Sequence, residues 1–167
     1  IVSEEEDLSR WDTQPTGGEY YTTPRSIYRT QVDVVLPSGH AVLNAEDELV
    51  ADFAELCDGE VIFFAVDPAN PTLLAHLAAG KRGVTVADKR VVLRSGADEI
   101  RLSRLVDAPY IGKAKQAKNI ANVLAGIAAG WAMGLSKEVM TTGMKTFGLE
   151  LADPASLILQ PATKSQP

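Results

Sequence analysis

An unbroken apolar run lies in the middle of the chain and limits the folds that are open to it. Residues 61–66 read Val-Ile-Phe-Phe-Ala-Val, with no polar residue among them. A strand with one face in water alternates between apolar and polar residues, whereas a strand that is covered on both faces reads as a continuous apolar run. The run therefore predicts a strand of a parallel sheet that is buried between layers of helices.

Strand patterns occur on both sides of this run. Residues 31–36 are rich in β-branched residues and are followed by the turn residues Pro37-Ser38-Gly39-His40 and a second apolar segment at 41–43, which predicts a hairpin. Residues 84–102 hold three short segments separated by turn signals, which predict a small antiparallel β-element.

Helix patterns alternate with these strands, so the fold class that we predict is α/β. Predicted helices begin at Asn44, at Asn70, near residue 115 and after Ser136, and we expect Asn70 and Ser136 to be N-caps of theirs. We expect Asn44 to be the N-cap of the first of these and Asp47 to lie near the positive end of its dipole. By domain, we predict an irregular lead-in at residues 1–30, a folded region at 31–148 and a tail at 149–167.

The composition argues against several classes of function. The net charge of −6 and the isoelectric point near 4.9 give no sign of the basic surface of a nucleic-acid binder. One cysteine, Cys57, excludes an internal disulfide framework, and His40 and His76 lack the spacing of a metal site. No run of roughly 18 apolar residues occurs, and the acidic opening residues are unlike a signal peptide. We therefore expect a cytoplasmic protein without metal, nucleic-acid or membrane partners.

The common phosphate-binding and nucleophile motifs are not present in complete form. A P-loop needs Gly-x-x-x-x-Gly-Lys-Ser/Thr, and the nearest approaches are Gly80-Lys81, Gly112-Lys113 and Gly143-Met144-Lys145-Thr146. None has the full spacing or lies between a strand and a helix start. We therefore assign no catalytic residue.

A polar cluster at the start of the long predicted helix is the remaining candidate site. It consists of Lys113, Lys115, Lys118, Asn119 and Asn122. Lysines at a helix N-terminus oppose the helix dipole unless they and the backbone amides meet an anion there. The cluster is either a solvated helix start or an anion site, and Asn122 is either a buried structural amide or one that faces a ligand.

Several stretches resemble one family. Residues 28–37, 41–47 and 54–64 resemble the Mur-ligase-like region of cyanophycin synthetases, and Val42-Leu43-Asn44-Ala45-Glu46-Asp47 is a motif shared across Mur ligases. Residues 119–125 and 129–135 resemble the helix that closes the ATPase domain of Mur ligases. The resemblance implies the later half of a Mur-type central domain, with part of a P-loop-NTPase-like sheet.

The same resemblance implies an ATP- and Mg²⁺-dependent ligase that attaches arginine to poly-aspartate through an acyl phosphate. It places Asn119 and Asn122 against the adenine ring, whereas Lys113 and Lys118 are candidates for the same nucleotide only through the polar cluster, because residues 110–118 are more basic than the family pattern. Asn44 and Asp47 carry over as a structural motif, and no metal ligand carries over. The family's P-loop and its C-terminal ligase domain have no counterpart among these residues.

Three hypotheses follow. The chain is a truncated or split part of a ligase, inactive by itself, or it is a non-catalytic protein that binds the full-length synthetase or forms a homo-oligomer. The third hypothesis is a small regulator that binds ATP or another anion through the cluster between Lys113 and Asn122. ATP binding by the isolated chain is left open by the sequence.

Overall fold

The computed structural model describes residues 24–111 and 117–147. In chain order the elements are helix α1 (Pro24–Asp33), strand β1 (His40–Asn44), helix α2 (Glu48–Asp52) with a 3₁₀ turn (Phe53–Leu56), strand β2 (Glu60–Phe64), helix α3 (Pro71–Ala78), strands β3 (Arg82–Ala87), β4 (Arg90–Ser95) and β5 (Asp98–Arg104), two 3₁₀ turns (Leu105–Asp107, Pro109–Ile111), and helices α4 (Ala117–Ala132) and α5 (Lys137–Thr146). None of these helices combines the length and the apolar character that crossing a bilayer requires.

The strands form one mixed sheet in the order β1-β2-β3-β4-β5. β1 and β2 are parallel, as are β2 and β3, whereas β3, β4 and β5 are antiparallel to one another. The predicted α/β class is confirmed. The predicted antiparallel element is present, but it continues the parallel sheet rather than standing apart from it, because β3 belongs to both parts.

The apolar run forms β2, near the middle of the parallel part, and its residues are buried on both faces as predicted. Ile62 and Phe64 belong to the core between the sheet and helix α4. Val61 and Phe63 belong to a second core on the other face, which also contains Val50 of α2 and Leu73 of α3. Helices therefore cover both faces of β2, which explains why the sequence there does not alternate.

The predicted first strand at residues 31–36 is wrong. Residues 31–33 are the last turn of α1, and the chain reaches β1 through an irregular segment in which Val34 and Leu36 are 67% and 69% exposed. Val32 belongs to the second core, the one that contains Val61 and Phe63, and Tyr28 and Val35 pack against it. The three residues are spaced four and three positions apart, as on one side of a helix. That periodicity prevails over the β-branched composition, and β1 pairs in parallel with β2 instead of forming a hairpin.

The helix caps follow the predicted pattern with one correction. Asp47, not Asn44, is the N-cap of α2: its Oδ1 accepts a hydrogen bond from the backbone N–H of Val50 at 3.1 Å. Asn44 is the last residue of β1, and its Oδ1 accepts from the N–H of Glu46 at 3.0 Å. The caps at Asn70 and Ser136 are confirmed. Helix α1 spans residue 30, and the predicted division into lead-in, folded region and tail stays a prediction.

Candidate functional site

An apolar groove lies between helices α4 and α5, on the face of the sheet opposite to α3. It encloses about 420 Å³, within the range of small-molecule sites. Its described lining includes Tyr110, Asn122, Gly126, Val139, Gly143 and Phe147.

Two glycines keep the groove open. A Cβ atom placed on Gly126 of α4 or on Gly143 of α5 would meet no atom within 4 Å. Both residues have helical backbone conformations that any residue could adopt, and glycine in a helix interior costs roughly 1 kcal/mol relative to alanine. The sequence thus carries two helix-destabilising residues at positions where a larger side chain would reduce the groove.

Asn122 supplies the polar group of this groove. It lies in the first half of α4, is partly buried, and donates from Nδ2 to the Tyr110 hydroxyl at 3.4 Å. That bond turns the amide nitrogen towards Tyr110 and leaves the Oδ1 atom as an acceptor for another group. Tyr110 also makes an edge-to-face contact with Phe147, with 5.0 Å between ring centroids. The groove therefore combines two aromatic rings, aliphatic walls and one oriented amide.

The other predicted site residues are less completely placed. Asn119 lies one turn before Asn122 in α4 and is partly buried, but it is not among the residues that line the groove. Lys118 lies in the first turn of α4, and its side chain is outside the described residues. Lys113 is likewise outside them. Binding roles for all four residues stay predictions.

Asn44 is the last residue of β1 and Asp47 is the N-cap of α2, and neither lines the groove. Their hydrogen bonds shape the connection between these two elements, which is further held by the Glu46 carboxylate accepting from the N–H of Asp67 at 2.8 Å. Their described contacts are structural, as the sequence indicated for this motif.

A second polar cluster joins the first residues of the three parallel strands. Arg82 of β3 donates two hydrogen bonds to the Glu60 carboxylate of β2, at 2.6 and 2.7 Å, and its guanidinium lies 4.9 Å from the ring centroid of Trp131 in α4. The imidazole Nε2 of His40 in β1 lies 3.4 Å from Glu60. The hydrogen bond from Arg82 lowers the pKa of Glu60 below its usual value. Because active sites of parallel sheets lie at the opposite, carboxyl ends of the strands, we interpret this cluster as structural.

The near-matches to a P-loop do not form one in the described residues. Gly143-Met144-Lys145-Thr146 is inside helix α5, and Gly80 ends helix α3 with a φ of +79°. Within residues 24–111 and 117–147, no three His, Cys, Asp or Glu side chains group as metal ligands would. The candidate site is therefore the groove, and its chemistry is that of a binding pocket for a flat, largely apolar group.

Sequence reasoning missed the contribution of Tyr110 and Phe147. Tyr110 lies in the 3₁₀ turn before α4 and Phe147 follows the last residue of α5, so only the packing of those helices brings the two rings together. Phe147 is 63% exposed, so burial does not single it out either. No local pattern could have indicated this contact.

The known proteins that are similar in sequence to this chain include several cyanophycin synthetases. It is 33% identical over 115 residues to the cyanophycin synthetase of a Synechocystis species, and 30% identical over 115 residues to that of Crocosphaera subtropica. Both matches cover 69% of this chain, which spans only 13% of the length of either relative. The cyanophycin synthetase of Trichormus variabilis is 28% identical over 113 residues. No family model matches the chain. The predicted resemblance is thus confirmed, and the chain is related to one region of the cyanophycin synthetases.

Proposed function

We propose that the groove between α4 and α5 binds the adenine ring of ATP, and that the chain supplies this part of an ATP-dependent amide ligase. The observation that carries the proposal is the oriented Asn122 amide at the edge of an apolar, aromatic groove. The relatives, which are named for cyanophycin synthesis, support the choice of ligase over other nucleotide-binding proteins.

The geometry also favours one kind of base. One N–H of the Asn122 amide donates to Tyr110, and the Oδ1 atom, which has no hydrogen-bond partner among the described residues, can accept a hydrogen bond from an exocyclic amine, which adenine has at C6. Guanine presents a carbonyl oxygen at C6, and two facing acceptors repel each other. The apolar walls and the rings of Tyr110 and Phe147 provide surface against which the flat base packs. We therefore propose selectivity for ATP over GTP.

In the reaction that the family resemblance implies, an aspartate side-chain carboxylate takes the γ-phosphoryl group of ATP and ADP leaves; the amine of arginine then attacks the acyl phosphate, and inorganic phosphate leaves as the amide bond forms. The residues of this chain would hold and orient the nucleotide. We propose that Lys118 and Lys113, at or before the N-terminus of α4, face the phosphates, because lysines and helix amide groups both attract anions. A phosphate-binding loop and the Mg²⁺ ligands would come from a segment outside this sequence.

A calorimetric titration of the chain with ATP, with and without Mg²⁺, tests the proposal. We expect micromolar binding, about −8 kcal/mol, that is weaker for GTP and falls about tenfold or more in Asn122→Ala. Thr142→Ala is the control, since it removes an exposed polar group of α5 that does not line the groove, and it should bind ATP nearly as well. No ATP binding, or equal binding by the Asn122→Ala variant, would rule out this site.

Exposed apolar side chains favour a second candidate function, that of an interaction module. Val34 and Leu36 are more than 60% exposed beside α1, and Met133 is 72% exposed at the end of α4. Contiguous exposed apolar patches mark surfaces that bind another protein, and Val34 and Leu36 are two residues apart in the sequence. We propose a full-length synthetase or a second copy of the chain as the partner. Light scattering on the chain alone and mixed with the synthetase distinguishes these, and a Val34→Asp, Leu36→Asp double variant should lose the association.

A further inference from the structure

A second cavity lies on the other face of the sheet, away from the proposed nucleotide groove. It encloses about 420 Å³ between helix α3 and the turn that joins β4 to β5. The described lining is apolar apart from one residue, and it includes Leu74, Leu77, Gly80, Arg94, Gly96 and Ala97. Leu74 is 43% exposed although it belongs to an otherwise apolar helix, so the cavity opens to solvent beside it.

Arg94 is the charged residue of this cavity, and its position is fixed by the sheet. It pairs with Gly83 of β3, and a Cβ atom on Gly83 would meet the side chains of Leu73 and Leu77. Directly opposed residues of an antiparallel pair project to the same face, so Arg94 projects to the face that α3 covers. The guanidinium is thereby held next to the apolar residues of that helix.

The Arg94 side chain makes no hydrogen bond or ion pair within the described part of the chain, and its Nε atom is both buried and without a partner. Its cross-strand neighbour on β5 is Glu99, but that carboxylate accepts from the Nε atom of Arg101 at 2.6 Å. Arg101 in turn is held by Asp88 at 3.0 Å. Glu99, which is paired across the strands with Arg94, is therefore engaged by Arg101, and Arg94 has no ion-pair partner among the described residues.

We propose that this cavity is a binding site for a carboxylate that carries an aliphatic chain. A guanidinium presents parallel N–H groups that match the two oxygens of a carboxylate, and pairing relieves the cost of a partly buried, uncompensated cation. One cation suits a single negative charge better than a phosphate dianion. The leucines and Ala97 would contact the aliphatic chain. The site does not depend on the nucleotide groove, which is on the opposite face.

The test is an NMR titration of the ¹⁵N-labelled full chain with hexanoate, hexan-1-ol and hexylamine. We expect hexanoate to cause saturable shifts of the Gly80, Gly96 and Ala97 amides, while the alcohol and the amine at equal concentration do not. Arg94→Met should weaken hexanoate binding by about tenfold or more, and Arg94→Lys should retain part of it. Arg104→Met, which removes an exposed arginine of β5 that pairs with Asp107, should change nothing at these amides.

Absence of saturable shifts with hexanoate, or equal shifts in Arg94→Met, would overturn the proposal. A circular dichroism spectrum verifies that each variant is folded. If Arg94→Met does not fold, the test is made with Arg94→Lys, which should bind hexanoate more weakly than the wild type. A trileucine peptide with a free carboxyl end and its amide then distinguish the source of the carboxylate. Tighter binding of the peptide acid than of hexanoate indicates a polypeptide C-terminus, and weaker binding indicates a small acid. Binding of the peptide amide as strong as that of the acid would again contradict a carboxylate site.

Discussion

Replacing Gly59 with alanine should destabilise the fold markedly, because this residue lies where β1 and β2 begin to pair. A Cβ atom on Gly59 would overlap the carbonyl oxygen of Gly39 and would lie 2.7 Å from the carbonyl oxygen of Leu36. Both are backbone atoms, so no side chain can move aside. The Gly39 oxygen also accepts the hydrogen bond from the N–H of Glu60 at 3.0 Å, next to the first pair of the β1–β2 ladder.

The expected cost combines two contributions. Overpacking that shifts backbone costs roughly 1–3 kcal/mol, and a weakened backbone hydrogen bond costs about 0.5–1.5 kcal/mol. We therefore expect Gly59→Ala to lower the free energy of unfolding by about 2–4 kcal/mol, or the melting temperature by roughly 5–15 °C. Urea unfolding followed by circular dichroism at 222 nm measures this change.

Gly126→Ala is the matched control. It makes the same substitution in the interior of α4, where the added Cβ meets no atom within 4 Å. Because alanine is the better helix former, Gly126→Ala should raise the free energy of unfolding by about 0.5–1 kcal/mol. Equal stabilities for wild type and Gly59→Ala, or a destabilised Gly126→Ala, would refute the packing described for these positions.

Three further changes test other parts of the structure. Asp47→Ala removes the N-cap of α2 and should cost about 1 kcal/mol of stability in urea unfolding, an effect absent if the cap were Asn44. Arg82→Gln breaks the two bonds to Glu60, whose side chain is 42% exposed, so solvent screening should limit the loss to about 1 kcal/mol in the same assay. Burial holds the pKa of His76 below its ordinary value near 6.5, so the unfolded chain binds a proton more readily than the folded one. The contribution of His76 to the free energy of unfolding should therefore be fully present above about pH 7 and fall as the pH drops through about 6.5. His76→Gln should lack that fall in unfolding measured across the pH range, and an unchanged slope would contradict it.

Strands could be predicted from the sequence mainly where burial determines the order of apolar and polar residues. β2 reads as an apolar run because helices cover both faces, and β4 begins after the two-residue turn Asp88-Lys89, whose residues both have positive φ. Helix α1 was misread because Val32, Val34 and Val35 suggest a strand locally, whereas only Val32 is fully buried. Which of these valines face the core depends on tertiary packing, which local composition does not record.

Of the residues that line the candidate site, the sequence pointed to Asn122 but not to the residues around it. Asn122 is singled out by the family resemblance and by its place in the polar cluster at the start of α4, and it lines the candidate groove. Its partner Tyr110 and the facing residue Phe147 come from separate elements, which meet only when α4 and α5 pack on the sheet. The arginine of the second cavity was also missed, since its lack of a partner follows from the pairing of Glu99 with Arg101.

The central claim, that the groove between α4 and α5 receives the adenine ring, is tested most directly by an NMR titration with ATP of the wild-type chain and of Gly143→Leu. The substitution fills the groove from α5 at a position where the glycine has open space, and it leaves Asn122 intact. We expect saturable shifts of the Asn122 side-chain amide and of the Gly126 amide in the wild type, and their loss in a folded Gly143→Leu variant. Shifts that persist in Gly143→Leu, or that map away from the groove in the wild type, would contradict the claim.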